Sequence, residues 1–205
     1  MKFYYAKGTC ALGIHILLEE TGVAYEPHRL DFAKQEQRNP GYLAINPKGK
    51  VPLVQFDDGS TLSEFQAIAT WLHLTRPDKR LLPADPLAAA RAYELMDYTV
   101  GTVHGLGFSR ISRPQNYSPA PESHEAVKAA GLATFEQGMA WLGSKASAEG
   151  FAVGDFSLAD AALFYVEFWM AERLNKPLPG HLANHYARMK DRPSVQKVLK
   201  MQGFA

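Results

Sequence analysis

The chain has little cysteine, little net charge and no long apolar run. Cys10 is the single cysteine in 205 residues. One thiol excludes an internal disulfide, and a reducing compartment fits that usage best. Formal net charge is +1 and the basic residues are not bunched. That argues against a nucleic-acid partner or a polybasic membrane anchor. No apolar stretch approaches the ~20 residues of a membrane-spanning helix. The opening MKFYYAKGTC lacks the apolar region of a secretory signal. The sequence reads as that of a cytoplasmic protein of one or two domains.

What is present divides near residue 80. Before it, strand-like and helix-like signals alternate. KFYY reads as a short aromatic strand, and apolar residues around Leu12 and Ile16 recur at helical spacing up to Thr21-Gly22. AYEPHRLDF returns to strand texture, weakened by Pro27, and VPLVQF is a buried-strand candidate. DDGS turns into a short strand, TL. Ser63 and Gln66 have capping-box spacing ahead of a helix carrying Phe65, Ile68 and Leu72. The order β-α-β, then β-β-α, predicts an open sheet flanked by helices over residues 1–80.

Residues 81–86, within RPDKRLLPADP, read as a linker, and 87–205 as an all-α domain. Residues 87–108 form a helical stretch expected to fray at Gly105 and Gly107. SRPQNYSPAP reads as a loop. Residues 122–146 place Leu132, Phe135, Met139 and Leu142 on one face. Ser157 and Asp160 have capping-box spacing, and Leu158, Ala162, Tyr165 and Trp169 form one stripe of a buried spine.

Four features carry candidate chemistry. Cys10 sits between a strand and a helix, where helix N-terminal amides favour a thiolate; buried free cysteines are also common core residues. Gly13 stands where a Cys-x-x-Cys pair has its second thiol, so only a mixed disulfide with an outside thiol is open to it. Val51-Pro52 reads either as a trans bond on an edge strand or as a cis bond that offers Val51's backbone to an extended peptide. Glu64, at a helix start, either complements the dipole or binds a ligand ammonium while neighbouring amides hold a carboxylate. Asp97, Gly101 and His104 fall on one helix face. His181 and His185 have i, i+4 spacing without a clustered third ligand or a catalytic Glu, and no metal site is expected.

Together, MKFYYAKGTCALGIHILLEETG, NPKGKVPLV, DDGSTLSEFQAI, the Asp97–His104 face and VGDFSLADAALF resemble the cytosolic glutathione S-transferases, most closely the bacterial beta class. The resemblance implies an α+β chain. A thioredoxin-like domain, with a mixed four-stranded sheet and three helices, precedes an all-α domain. It further implies a homodimer, a cis Val51-Pro52 bond and glutathione as co-substrate in the cleft between domains. Cys10 would lie at the glutathione sulfur, with Tyr5 and His104 beside it. Lys34, Val51, Glu64, Phe65 and Asp97 would bind glutathione, Asp97 from across the dimer. Phe108, Arg110, Arg113 and Tyr117 would line the electrophile pocket. The chain departs from the family pattern at Phe65, where a small residue, often Ser, supplies a hydroxyl. Ala11 removes a nearby hydroxyl, and Gly105 stands where a lysine often follows the histidine. The implied activity is conjugation of the glutathione thiol to small electrophiles, or glutathione-dependent thiol exchange or reduction through Cys10. The departures motivate an alternative, a non-catalytic binder of apolar ligands.

Overall fold

The aromatic run at the start forms β1 (Lys2–Tyr5), an interior strand of a four-stranded sheet, in a computed structural model that describes residues 1–204. The sheet order is β2-β1-β3-β4, with β2 (Glu26–Arg29), β3 (Leu53–Gln55) and β4 (Thr61–Ser63). β2 runs parallel to β1, Lys2 beside Glu26; β3 is antiparallel to β1, and β4 to β3. The sheet is therefore mixed, as expected. Pro27 sits on the exposed edge strand, where its missing N–H costs no interior ladder bond.

Three helices accompany the sheet: α1 (Ala11–Thr21), α2 (Pro40–Ile45) and α3 (Phe65–Thr75). α1 buries Leu12, Ile14, Ile16, Leu17 and Leu18 completely, each worth about 1.5–3 kcal/mol of transfer free energy. It stops at Gly22, whose left-handed φ of +65° lets its N–H donate to the Leu18 carbonyl. α3 starts differently from the sequence expectation. Its cap position is Glu64, no side chain caps it, and the Ser63 hydroxyl instead accepts from Lys48. The Ser63–Gln66 capping box is not formed, because Glu64 leaves β4 with φ +76° and ψ 134°.

The chain divides into two compact units. The first is Met1–Leu81 together with residues 190–204, and the second is Leu82–Met189. The division falls between Leu81 and Leu82. The end of the chain does not follow expectation: α9 (Pro193–Met201) joins the first unit rather than the helical domain. Val195, Val198 and Leu199 are buried, the Arg192 guanidinium grips Glu20 at 2.8 Å through two nitrogens, and Lys197 reaches Glu19 at 2.7 Å. Apolar burial and ion pairs together hold this segment on α1.

The second unit is helical. α4 (Pro86–Asp97) is capped by Asp85, which accepts from the Ala88 amide at 2.8 Å. It runs on through a π-wound stretch, Tyr98–Phe108, into α5 (Ser109–Ser112). The expected fraying at Gly105 and Gly107 does not occur. A Cβ on Gly107 would meet the Phe135 backbone at 2.9 Å, so this glycine permits close helix packing instead of breaking a helix. The facing helix is α6 (His124–Lys145), with Phe135, Met139 and Leu142 fully buried. α7 (Leu158–Phe168) is buried at every position and carries the predicted Ser157–Asp160 capping box. A π-wound turn, Trp169–Arg173, follows it, and then α8 (Leu182–Lys190).

Candidate active site

In the first unit the site is built around Cys10. The thiol occupies the cap position of α1 and is half-buried. It is led in by a tight turn in which the Thr9 amide and hydroxyl both donate to the Ala6 carbonyl. Gly8 lies in the left-handed region at φ +64°. The Cys10 Sγ–H donates to the Val51 carbonyl at 3.6 Å. A thiolate has no proton to donate, so this contact belongs to the thiol form. Val51 is buried and is joined to Pro52 by a cis peptide bond immediately before β3, an interior strand.

Glu64 follows β4 with its backbone in a region nearly reserved for glycine, a conformation costing on the order of 1–3 kcal/mol. That strain presents its carboxylate to solvent, where Lys48 pairs with it at 2.6 Å and also donates to Ser63. Lys48 escaped the sequence reading; nothing local ties it to Glu64, sixteen residues away. The Phe65 side chain is 3 % exposed and shares its burial with Ile68, Ala69 and Leu72. It is a core residue, and only its backbone belongs to the surface beside Glu64.

Two further expected residues of this unit are Lys34 and Tyr5. The Lys34 ammonium is exposed and 3.8 Å from Asp31. Tyr5 lies in the core, stacked on Phe3 and tilted against His15 with ring centroids 5.0 Å apart. Burial pushes its phenol above the ordinary value, against an opposing pull from Arg29.

In the second unit His104 is half-buried on the π-wound stretch. Its Nδ1 lies 3.4 Å from the Tyr165 hydroxyl, and its ring meets Trp169 edge-on at 4.8 Å. Phe108 stacks on Trp169 at 4.1 Å. The structure thus gathers His104 and Phe108 with Tyr165 and Trp169, two residues that the sequence showed only as core stripe. Arg110 donates to the Leu106 carbonyl at 2.6 Å and lies over the Tyr117 ring, whose hydroxyl donates to the Gly105 carbonyl. Arg113 and Asp97 are exposed. His181 is exposed, whereas His185 is enclosed by Asp160 and Glu167. Among the described residues no group of three His, Cys, Asp or Glu side chains has a metal-binding arrangement.

Residues 8–75 match the family model described as glutathione S-transferase, N-terminal domain. Glutathione S-transferase GstA of Escherichia coli O157:H7 is 34% identical over 208 residues, covering 100% of both chains. The chain belongs to the glutathione S-transferase family. Cys10, Val51, Glu64 and Phe65 all lie within the span matched to the family's N-terminal domain. A glutathione transferase homologue from Sulfitobacter, solved with bound glutathione, superposes with a TM-score of 0.90 at 32% identity, covering 100% of this chain and 98% of that one. A beta-class glutathione S-transferase from Sphingomonas chungbukensis gives a TM-score of 0.83 at 29% identity, with both chains fully covered. Among the described residues of this family member, no helix is long and apolar enough to cross a membrane.

Proposed function

We propose that this chain is a glutathione-dependent transferase in which Cys10 stands beside the sulfur of bound glutathione. The observation that carries the reading is the Cys10–Val51 contact, 3.6 Å from sulfur to carbonyl oxygen, in a family member similar over its full length to a glutathione S-transferase. Val51's backbone pairs with the cysteinyl part of the ligand, which brings the ligand sulfur to the head of α1. Glu64 exchanges Lys48 for the γ-glutamyl ammonium, and the amides of the first turn of α3, from Phe65 onward, take the γ-glutamyl carboxylate. Lys34 serves the glycyl carboxylate. Asp97 faces the site of a second subunit in a two-fold homodimer. The working compartment is the cytoplasm and the role is detoxification.

In conjugation, the glutathione thiol loses its proton to solvent. Its sulfur electron pair forms the bond to the electrophilic carbon, and a leaving group departs with its bonding pair. The Cys10 proton, turned from Val51 to the ligand sulfur, stabilises the glutathione thiolate, a charge-assisted hydrogen bond. Tyr5 supports this region from the core. His104, Phe108, Arg110, Arg113 and Tyr117 serve the electrophile, with Trp169 and Tyr165 forming an aromatic wall against His104 and Phe108.

Capture on immobilised glutathione, with turnover of a generic electrophile, tests the reading. Retention together with turnover is expected. Incubation with oxidised glutathione should add one glutathionyl group, lost in Cys10→Ala. A folded protein that is neither retained nor active overturns the proposal. One observation favours a second reading: with the Phe65 side chain in the core, no hydroxyl stands at that position. A protein that binds apolar dyes without turning over any electrophile would be a non-catalytic binder.

A further inference from the structure

We propose that Gln202 is a positioning residue for Cys10, acting through the Gly8 amide and the His15 ring. Gln202 follows α9 and is 2 % exposed. Its Oε1 accepts from the Gly8 N–H at 2.9 Å, in a buried contact. That bond fixes the orientation of the side-chain amide, since a backbone N–H needs an acceptor. The Nε2 group must then be the donor to His15 Nδ1, 3.1 Å away. The remaining proton of a neutral imidazole lies on Nε2 and points at the Tyr25 oxygen at 2.8 Å, and Tyr25 donates to Glu19 at 2.6 Å. Lys197, back on α9, closes the circuit at Glu19.

The two groups that Gln202 holds bracket the thiol. Gly8 belongs to the turn leading into Cys10, and His15 belongs to the helix leading out of it. The neighbouring contact repeats the tie: Lys7 donates to the Gly203 carbonyl at 2.8 Å, with its ammonium 4.5 Å above the Phe204 ring. A turn held from both sides keeps Sγ against Val51 and at the positive end of α1. The titratable groups around the His15 ring are Tyr25, Tyr5 and, one step further, Glu19 and Lys197. The inference rests on the proposed function only in placing Cys10 at the active site.

The test is the pH profile of Cys10 alkylation by iodoacetamide, followed by mass spectrometry, in the full chain. Because Cys10 is the lone cysteine, the signal has one source. Gln202→Leu keeps the volume and removes both hydrogen bonds. Val198→Ala loosens α9 without touching the turn. For Gln202→Leu the profile should move by about half a pH unit or more, a roughly threefold or larger change in the thiol's protonation equilibrium. Val198→Ala should overlay the parent despite its lower melting temperature. An unmoved Gln202→Leu profile overturns the proposal, as does an equal shift in Val198→Ala. Should Gln202→Leu not fold, hydrogen exchange in the unaltered protein decides: the Gly8 amide must be protected, and fast exchange there refutes the bridge. In the transferase assay Gln202→Leu should lower kcat several-fold, with KM for glutathione within about twofold. The alkylation assay contains no glutathione. A shifted profile in a protein without transferase activity therefore keeps the positioning role and rejects only the transferase reading.

Discussion

His185 sits between Asp160 and Glu167, with Nε2 2.9 Å from one carboxylate and Nδ1 2.8 Å from the other, all three side chains buried. Both ring nitrogens face acceptors, so both carry protons and the ring is an imidazolium. Burial alone would lower its pKa; Glu167 and Asp160 more than reverse that and push it up to about 10. Burial pulls Glu167 upward too, and its Oε2 is without a hydrogen-bond partner. The doubly hydrogen-bonded ring decides the charge state of the cluster.

The first prediction concerns alkaline stability. A raised folded-state pKa gives a contribution fully present below the unfolded value of about 6.5 and lost as pH climbs through about 10. His185→Gln should destabilise by about 3–5 kcal/mol near neutrality, as when one partner of a buried ion pair is removed. Its deficit should shrink between those pH values. Thermal melts across that range check this, and a constant deficit would count against the imidazolium.

His15 predicts the opposite slope. Burial, aided by Lys197 and opposed by Glu19, lowers its pKa to about 4. The unfolded chain therefore takes up a proton first, and stability falls as pH drops from about 6.5 to about 4, by roughly 3 kcal/mol. In denaturant titrations the deficit of His15→Asn relative to the parent should shrink across that window, since only the parent loses stability there. Parallel curves would mean that the ring already charges in the folded state.

Glu64 predicts a trade between stability and binding. Glu64→Gly relieves its left-handed backbone and should gain about 1 kcal/mol after the entropic cost of glycine. It also removes the carboxylate, and glutathione affinity should fall roughly ten- to a hundredfold. Calorimetry alongside thermal melts reads both quantities. Unchanged affinity would remove Glu64 from the site.

Phe65→Ser should not improve glutathione binding, because the side chain is in the core. It should cost about 3–5 kcal/mol, in the range of other large-to-small aromatic changes. A stable, tighter-binding variant would contradict the burial of Phe65.

Gly107→Ala should cost about 1–3 kcal/mol by forcing apart the backbones at Phe135. Gly41→Ala, where a new Cβ meets nothing within 4 Å, should be neutral or gain up to about 1 kcal/mol. A neutral Gly107→Ala melt would argue against the close approach.

Local chemistry made much of this legible. The stop at Gly22, the capping box at Ser157 and the buried stripe of α7 each depend on residues within a few positions of one another. The four strands, α1 and α3 of the first unit followed from the same short-range signals, and so did the place of Cys10, whereas no such signal announced α2 (Pro40–Ile45). Distance hid the rest. Lys48 meets Glu64, His185 meets Asp160 and Gln202 meets Gly8 across 16, 25 and 194 residues, and no periodicity announces such pairs. The failed Ser63 cap and the unbroken helix through Gly105 and Gly107 are cases where tertiary packing overrode a correct local preference.

The placement of α9 has a consequence for synthesis. Residues 1–81 leave the ribosome before residues 82–189, and the helix that covers α1 emerges only after both. Chains grow at about 5–20 residues per second, so for several seconds Glu19, Glu20, His15 and the Gly8 amide wait without Lys197, Arg192 and Gln202. The unit that carries the thiol is completed only after the helical unit has been made.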